Sequence, residues 1–324
     1  MAITLGTPRA AGSPSKKRSN GHPVGIRKTG GDVAFSSVNY LVFAIFTFLC
    51  AYPFYFLIIN SISSNSLSAL GDIRFWPVGI HFDNYVQMLE LSGLPLATAV
   101  SVARTVIGTA LTVLASGFLG FMFTQQKMWK RAFWYRVMVI TMYLNAGLIP
   151  TYLIIRNLHL TDSFWVYILP AVVQPFNVIL VKTYVESLPS SLQEAAEVDG
   201  AGVLTIFFRI ILPNCTPILA TVAIFSAVAQ WNSFQDTLLY ITDQKLYSLQ
   251  YLLYTYLNQA SSLAQAVRNS TGQSLAGIAG QATQTTPTSI RMTISVLVVL
   301  PILFVYPLFQ RYFVKGIMLG AVKG

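Results

Sequence analysis

The chain has 324 residues, 54% of them hydrophobic and 10% charged, and a mean hydropathy of +0.59. Soluble domains carry about a quarter charged residues, so this composition excludes an ordinary soluble enzyme and defines an integral membrane protein. A net charge of +10 would point a soluble chain toward nucleic acid. In a membrane chain the placement of the charges matters more, and no nucleic-acid partner is expected.

Residues 1–34, rich in Gly, Pro, Ser, Lys and Arg, predict a disordered basic tail ending at Arg27-Lys28. Residues 35–324 then form one membrane domain. Its apolar runs at about 38–60, 97–124, 132–156, 163–186, 214–235 and 289–313 predict six transmembrane helices, each long enough for a hydrocarbon core of about 30 Å. The first run could instead be a signal peptide cleaved near Ser61–Ser63. The long tail before it, and an apolar stretch exceeding the usual length of about 7–15 residues, favour a retained span. Residues 61–95 read as a polar connection. The longer connection 236–288 opens with an amphipathic helix carrying Leu246, Leu249, Leu252, Leu253, Tyr256 and Leu257, then loosens into Gln, Ser, Thr and Gly. Loops of that length are functional or are solvated spacers, and both readings are open.

Most of the 21 Lys and Arg lie on one side of this topology. The tail, Lys127, Lys130, Arg131, Arg136, Lys182, Arg209, Arg311, Lys315 and Lys323 share it, against Arg74, Arg156, Lys245 and Arg268 on the other. The positive-inside rule therefore predicts that both termini, and the connection 187–213, are cytoplasmic. That connection is a polar, small-residue island between two spans. Ser191 with Glu194 fits a capping box, Asp199-Gly200-Ala201-Gly202 breaks the helix, and Phe207, Ile210 and Ile211 recur at helical spacing before Pro213.

The same residues carry a resemblance. Glu194-Ala195-Ala196, three residues, Gly200, nine residues, Ile210, one residue and Leu212-Pro213 resemble the EAA loop of ATP-binding-cassette (ABC) importer permeases. Further likeness to the carbohydrate-uptake, maltose-permease-like branch runs through Phe75-Trp76-Pro77 to Asn84-Tyr85 and Asn145 to Pro150. It continues in Glu186 to Pro189, Gln230-Trp231-Asn232 and the ending Tyr306 to Gly324. The resemblance implies an all-α membrane protein with the type I importer permease fold, seated in a bacterial inner membrane. It also implies a cytoplasmic coupling helix in which Glu194, Ala195, Ala196, Asp199 and Gly200 engage an ATPase. A second permease subunit, two ATP-binding-cassette ATPases, an external solute-binding protein and a saccharide cargo are the implied partners, beside membrane lipid. ATP and Mg would be bound by the partner ATPase, because the sequence has no G-x-x-x-x-G-K-[ST] phosphate loop, and this chain is not expected to be an enzyme. Some relatives in this branch import alginate-like acidic oligosaccharides, which makes an acidic saccharide the favoured cargo.

Charges inside spans are costly and mark functional candidates. Arg104 and Arg291 either snorkel to the outer interface or line the cavity mouth and attract an anionic sugar, which arginine matches bidentately. Trp231, Asn145 and Tyr143, with Gln230, are candidates for the sugar pathway, while Gln174 and Asn177 read as interhelical glue. Gly108, Gly117 and Gly120 read as close-packing positions. Cys50 and Cys215 read as buried free thiols, and His22, His81 and His159 are too scattered for a metal site. Two rivals remain: a secondary transporter, which would need intramembrane carboxylates for ion coupling, and a membrane enzyme, which would need a nucleophile–base or metal constellation. Neither signal is visible in the sequence.

Overall fold

The computed structural model describes residues 30–90, 93–269, 286 and 288–303. The expected tail up to residue 29, the segment 270–285 and the end of the sixth apolar run after residue 303 lie outside the described residues. The chain divides into two units at Tyr52–Pro53, inside helix α1 (Gly30–Ser61). In the first unit α1 is apolar and exposed around its circumference, from Phe35 through Leu49. A helix apolar on every face is suited to a lipid environment. It begins at Gly30, so its first five residues belong to the segment expected to be tail.

The second unit is all-helical among the described residues. After α1 come α2 (Asn65–Leu70) and α3 (Asp83–Glu90), within the connection expected at 61–95. The axis of the unit is α4 (Leu94–Met122), which α11 (Thr216–Asn232) and α7 (Pro175–Glu186) flank. Three apolar clusters succeed one another along α4, around Leu94, Val100 and Phe121. The helices approach closely because α4 presents glycine where a side chain would collide. A Cβ at Gly120 would sit 2.8 Å from Val181 Cβ and 3.0 Å from the Lys182 amide nitrogen; at Gly108 it would meet the Gln230 amide at 2.9 Å.

Two of the expected spans are bent or broken rather than straight, and a third meets its preceding connection at a sharp bend. The run 132–156 is divided into α5 (Arg131–Tyr143) and α6 (Leu148–Asn157). Asn145 Oδ1 accepts the Gly147 N–H at 2.9 Å, and Gly147 takes φ +84°, so the turn residues win over the apolar pattern. The run 163–186 is a helix pair, Phe164–Ala171 and α7, bent by 47°, with Pro175 in the first turn of α7. The fifth run, expected at 214–235, is α11, and it meets the preceding helical segment Val203–Asn214, from the expected connection 187–213, at an 82° bend. That segment contains α9 (Val203–Ile206), a π-helical turn Phe207–Ile211 and α10 (Leu212–Asn214). Proline and π-bulges are the usual causes of such kinks, and Pro213 and Pro217 flank the break at Cys215. Beyond α11 lie α12 (Gln235–Tyr240), a 3-10 turn Gln244–Leu246, the amphipathic α13 (Leu249–Asn269) and α14 (Thr288–Leu303). Leu246 thus precedes the amphipathic helix instead of belonging to it. Cys50 is exposed and Cys215 buried, which corrects the expectation that both thiols are buried.

Candidate functional site: a helical elbow and a buried arginine

Two polar assemblies sit near opposite ends of α4. The first is the elbow between α7 and α11. Its leading helix, α8 (Ser191–Val198), starts from Ser190, and no side chain caps it. The expected capping box is therefore absent: Ser191 is the first helical residue, one position too late to act as N-cap. Asp199 ends the helix and Gly200 follows at φ +79°. This left-handed conformation costs any L side chain roughly 1–2 kcal/mol, so glycine here is dictated by the backbone. No atom lies within 4 Å of where a Gly200 Cβ would stand, and the hinge is unobstructed.

The two faces of α8 differ. Ala196 is buried in the apolar cluster that also holds Phe121, Val185, Phe207 and Ile211. Beside it Gln193 and Gln125 exchange amide hydrogen bonds at 2.8 and 3.2 Å. Gln193 also donates to Glu197 Oε1 at 3.0 Å, and Lys127 Nζ lies 2.8 Å from Glu197 Oε2. These donors, Gln193 first and then Lys127, hold the Glu197 carboxyl below its usual range. Glu194, Ala195 and Val198 on the other face are exposed, as are Asp199, Gly200, Val203, Leu204 and Phe208. The outcome is an apolar, small-residue surface with carboxylates at its edge, carried on a hinge. Of the residues expected to engage an ATPase, all but Ala196 are on this open surface.

The second assembly surrounds Arg104, which is 1% exposed. Its guanidinium neither snorkels nor stands open to cargo. Nε and Nη2 donate to Gln230 Oε1 at 3.1 and 3.0 Å, Nη1 to the Ser233 carbonyl at 3.3 Å, and Nη2 to Asp236 Oδ2 at 2.6 Å. The Tyr167 ring lies under Cζ, 4.2 Å from centroid to cation. Gln230 completes its own bonding through the Tyr167 carbonyl at 3.1 Å, and Ser233 Oγ donates to Asp236 at 2.8 Å. Asp236 and Tyr167 were not singled out in the sequence. The signal for Asp236 was present, however: an arginine within an apolar run requires a counter-charge, and Asp236 is the carboxylate that immediately follows the fifth run.

The remaining cargo candidates are dispersed. Trp231 is 9% exposed and donates from Nε1 to the Val298 carbonyl at 3.1 Å, tying α11 to α14. Tyr143 and Asn145 are exposed in the turn between α5 and α6, and Arg291 is exposed on α14, without an ion-pair partner among the described residues. Gln174 is exposed and bonds the Ala171 carbonyl within its own bend, so it does not act as interhelical glue, while Asn177 is buried. Among the described residues there is no His, Cys, Asp and Glu group that could hold a metal.

An all-helical chain of bent apolar segments, interrupted by a hinged polar elbow, has the architecture of a type I ABC importer permease. The fold is similar to that of a bacterial ABC transporter involved in the import of the acidic polysaccharide alginate. There the TM-score is 0.75 at 26% identity, covering 88% of this chain and 98% of that one. Residues 112–319 match the binding-protein-dependent transport system inner membrane components, and the chain belongs to that family. It is 31% identical to the polygalacturonan/rhamnogalacturonan transport system permease YtcP of Bacillus subtilis (strain 168), over 90% of this chain and 98% of that protein. It is 28% identical to the arabinooligosaccharides permease AraQ of Halalkalibacterium halodurans, over 87% and 94% respectively.

Proposed function

We propose that this chain forms half of the translocation pore of an ATP-driven importer of oligo- or polysaccharides, and that α8 is its coupling helix. The observation that carries the reading is the two-faced α8: Ala196 packed inward, and Ala195, Val198, Leu204 and Phe208 exposed beside an unobstructed Gly200 hinge. A surface this apolar outside the bilayer is suited to a protein partner. In this reading the partner is a cytoplasmic ATPase subunit that binds ATP and Mg. A second permease subunit completes the pore, a second ATPase completes the motor, and an external solute-binding protein delivers the sugar. By the positive-inside rule, the basic residues near α8 and in both terminal segments support a cytoplasmic placement of the elbow. Glu194, Asp199 and Gly200 would set the docking edge and the hinge, and nucleotide-driven closure of the ATPases would swing α8 in a two-state, hinge-type change.

For cargo the reading favours an acidic saccharide. Its supports are the polygalacturonan/rhamnogalacturonan and alginate cargoes named for the similar proteins and the exposed Arg291, which has no ion-pair partner among the described residues. Tyr143 and Asn145, exposed at the end of α5 and in the turn after it, would line the cargo pathway. Arg104 and Trp231, bonded within the protein, would shape that pathway from behind.

Co-purification tests the central claim. The tagged chain should bring down an ATPase subunit, and cysteine at Ala195 should cross-link to it; an Ala195→Cys variant labelled from outside the cell, or linked only to lipid, would overturn it. Uptake in the absence of any ATPase would instead identify a secondary transporter. For the cargo, Arg291→Gln should lower uptake of an oligouronate several-fold more than uptake of a neutral oligosaccharide, and equal effects would remove the preference.

A further inference from the structure

Arg104 is an expensive way to fill a core position. A buried ion pair contributes little net stability over apolar side chains of the same volume. What it supplies is a set of directional bonds that only one arrangement satisfies. Here its acceptors come from three places: Gln230 in the last turn of α11, Ser233 in the following turn, and Asp236 in the first turn of α12. The next residue extends the connection. Thr237 Oγ1 pairs with the Tyr167 hydroxyl at 3.0 Å and with Ser248 Oγ at 2.9 Å, and the Leu249 N–H donates to Ser101 Oγ at 2.8 Å. Ser101 is on α4, nearly one turn before Arg104. The bonds therefore close a ring from α4 through the end of α11, across α12, to the start of α13, and back to α4.

The other end of α11 begins at the elbow. Its first turns, Leu219 and Val222, pack in the same apolar cluster as Ala196 of α8 and Phe121 of α4. From Gly120 to Arg104 along α4 is about 24 Å at 1.5 Å per residue. The helix that leaves the elbow is thus gripped at its far end by a buried charge that also bonds α12, while the Thr237–Ser248 and Ser101–Leu249 bonds beside it hold the start of α13.

We propose that the Arg104–Asp236 pair is a positioning device that links the α8 elbow to the segment 233–249, delivering displacement of α8 as movement of α12 and the start of α13 at the opposite end. The inference rests on reading α8 as the coupling helix, and it adds a defined mechanical route from that helix to the connection after the fifth span. Spatial continuity alone does not demonstrate coupling, so the test perturbs the link while leaving both ends in place.

The experiment uses the complex purified through its ATPase and compares hydrogen exchange with and without ATP plus orthovanadate. In the unmodified protein, trapping should change exchange in 191–200 and also in 235–250, by about tenfold or more for the responding amides. With Arg104→Met and Asp236→Asn together, which remove the charge pair and keep its volume, the change in 191–200 should persist and that in 235–250 should disappear. Asp236→Asn alone, which retains the shape of the carboxylate, serves if the double variant does not assemble, and should diminish the same response. A full response of 235–250 in either assembled variant overturns the proposal, as does a silent 235–250 in the unmodified complex. Absence of any response in 191–200 of the unmodified complex would instead refute the coupling-helix reading itself.

Discussion

The two ends of α4 hold their neighbours by opposite means. At the Arg104 end a single charge, 1% exposed, satisfies its donors on α11, the turn beyond it and α12. At the α8 end the ion pair is between exposed groups, Lys127 and Glu197, and the backbone turns at a glycine with empty space around it. Water already solvates the second set, so its bonds are inexpensive to break and re-form. The first set has no such substitute, because any displacement strands a charge in low dielectric. In the proposed reading the molecule bends at the elbow, whose polar contacts are replaceable, and not at the arginine, whose contacts are not.

Removing the arginine should have the largest effect. Arg104→Ala opens a cavity and leaves the 33% exposed Asp236 carboxylate without its cation, for a destabilisation of about 2–5 kcal/mol that comes chiefly from the cavity; the unfolding midpoint of the purified protein in lipid nanodiscs measures it. A loss below about 1 kcal/mol, the range of surface pairs, would erase the contrast between the two ends. Gly120→Val comes next. It drives a side chain into Val181 and the Lys182 backbone, an overpacking cost of about 1–3 kcal/mol, and shows whether apolar packing, not the Lys127 pair, secures the elbow end.

Gly200→Ala sharpens the comparison further. The added methyl meets nothing, so the stability cost is only the left-handed backbone, about 1 kcal/mol, while uptake should fall about tenfold or more if the hinge transmits force. Normal uptake would refute the hinge. The smallest effects are acid effects on the exposed carboxylates. Asp162, in the turn before the Phe164–Ala171 helix, accepts the Thr242 and Asp243 N–H groups, the latter at 3.0 Å, and the Thr242 hydroxyl at 2.8 Å. The Thr242 N–H first, then the others, lower its pKa. A depressed folded pKa means that the bonds contribute fully above the unfolded value near 4 and are lost only as pH falls through the lower, folded value. Exchange of the Thr242 and Asp243 amides should therefore stay protected at pH 5 and rise only below about pH 4. The Gln193–Glu197–Lys127 contacts should follow the same sense, and Lys127→Ala should shift their loss to higher pH.

Much of the architecture was legible because membrane helices leave a strong composition signal. The apolar run beginning near residue 97 corresponds to α4, and Gly108 and Gly120 announced the close approach that α11 and α7 make. The all-helical importer-permease fold and the polar elbow before α11 were likewise readable from hydropathy and from the Glu194 to Pro213 pattern. Bends were harder to read. Hydropathy averages over a window, so it carried the third run across Leu144–Gly147, where the Asn145 side chain and a glycine at positive φ form the turn between α5 and α6. The capping box failed for a similar reason: the motif fixes a spacing but not which serine leaves the helix first.

By itself the sequence determined that the chain is a helical membrane protein, that glycine breaks the helix within its polar elbow, and that its charges are unequally distributed. Only the tertiary structure decided what Arg104 does. Residues 104, 167, 230 and 236 belong to four segments whose local patterns are silent about one another. A buried guanidinium is satisfied only where acceptors converge in space, and that convergence is a property of helix packing.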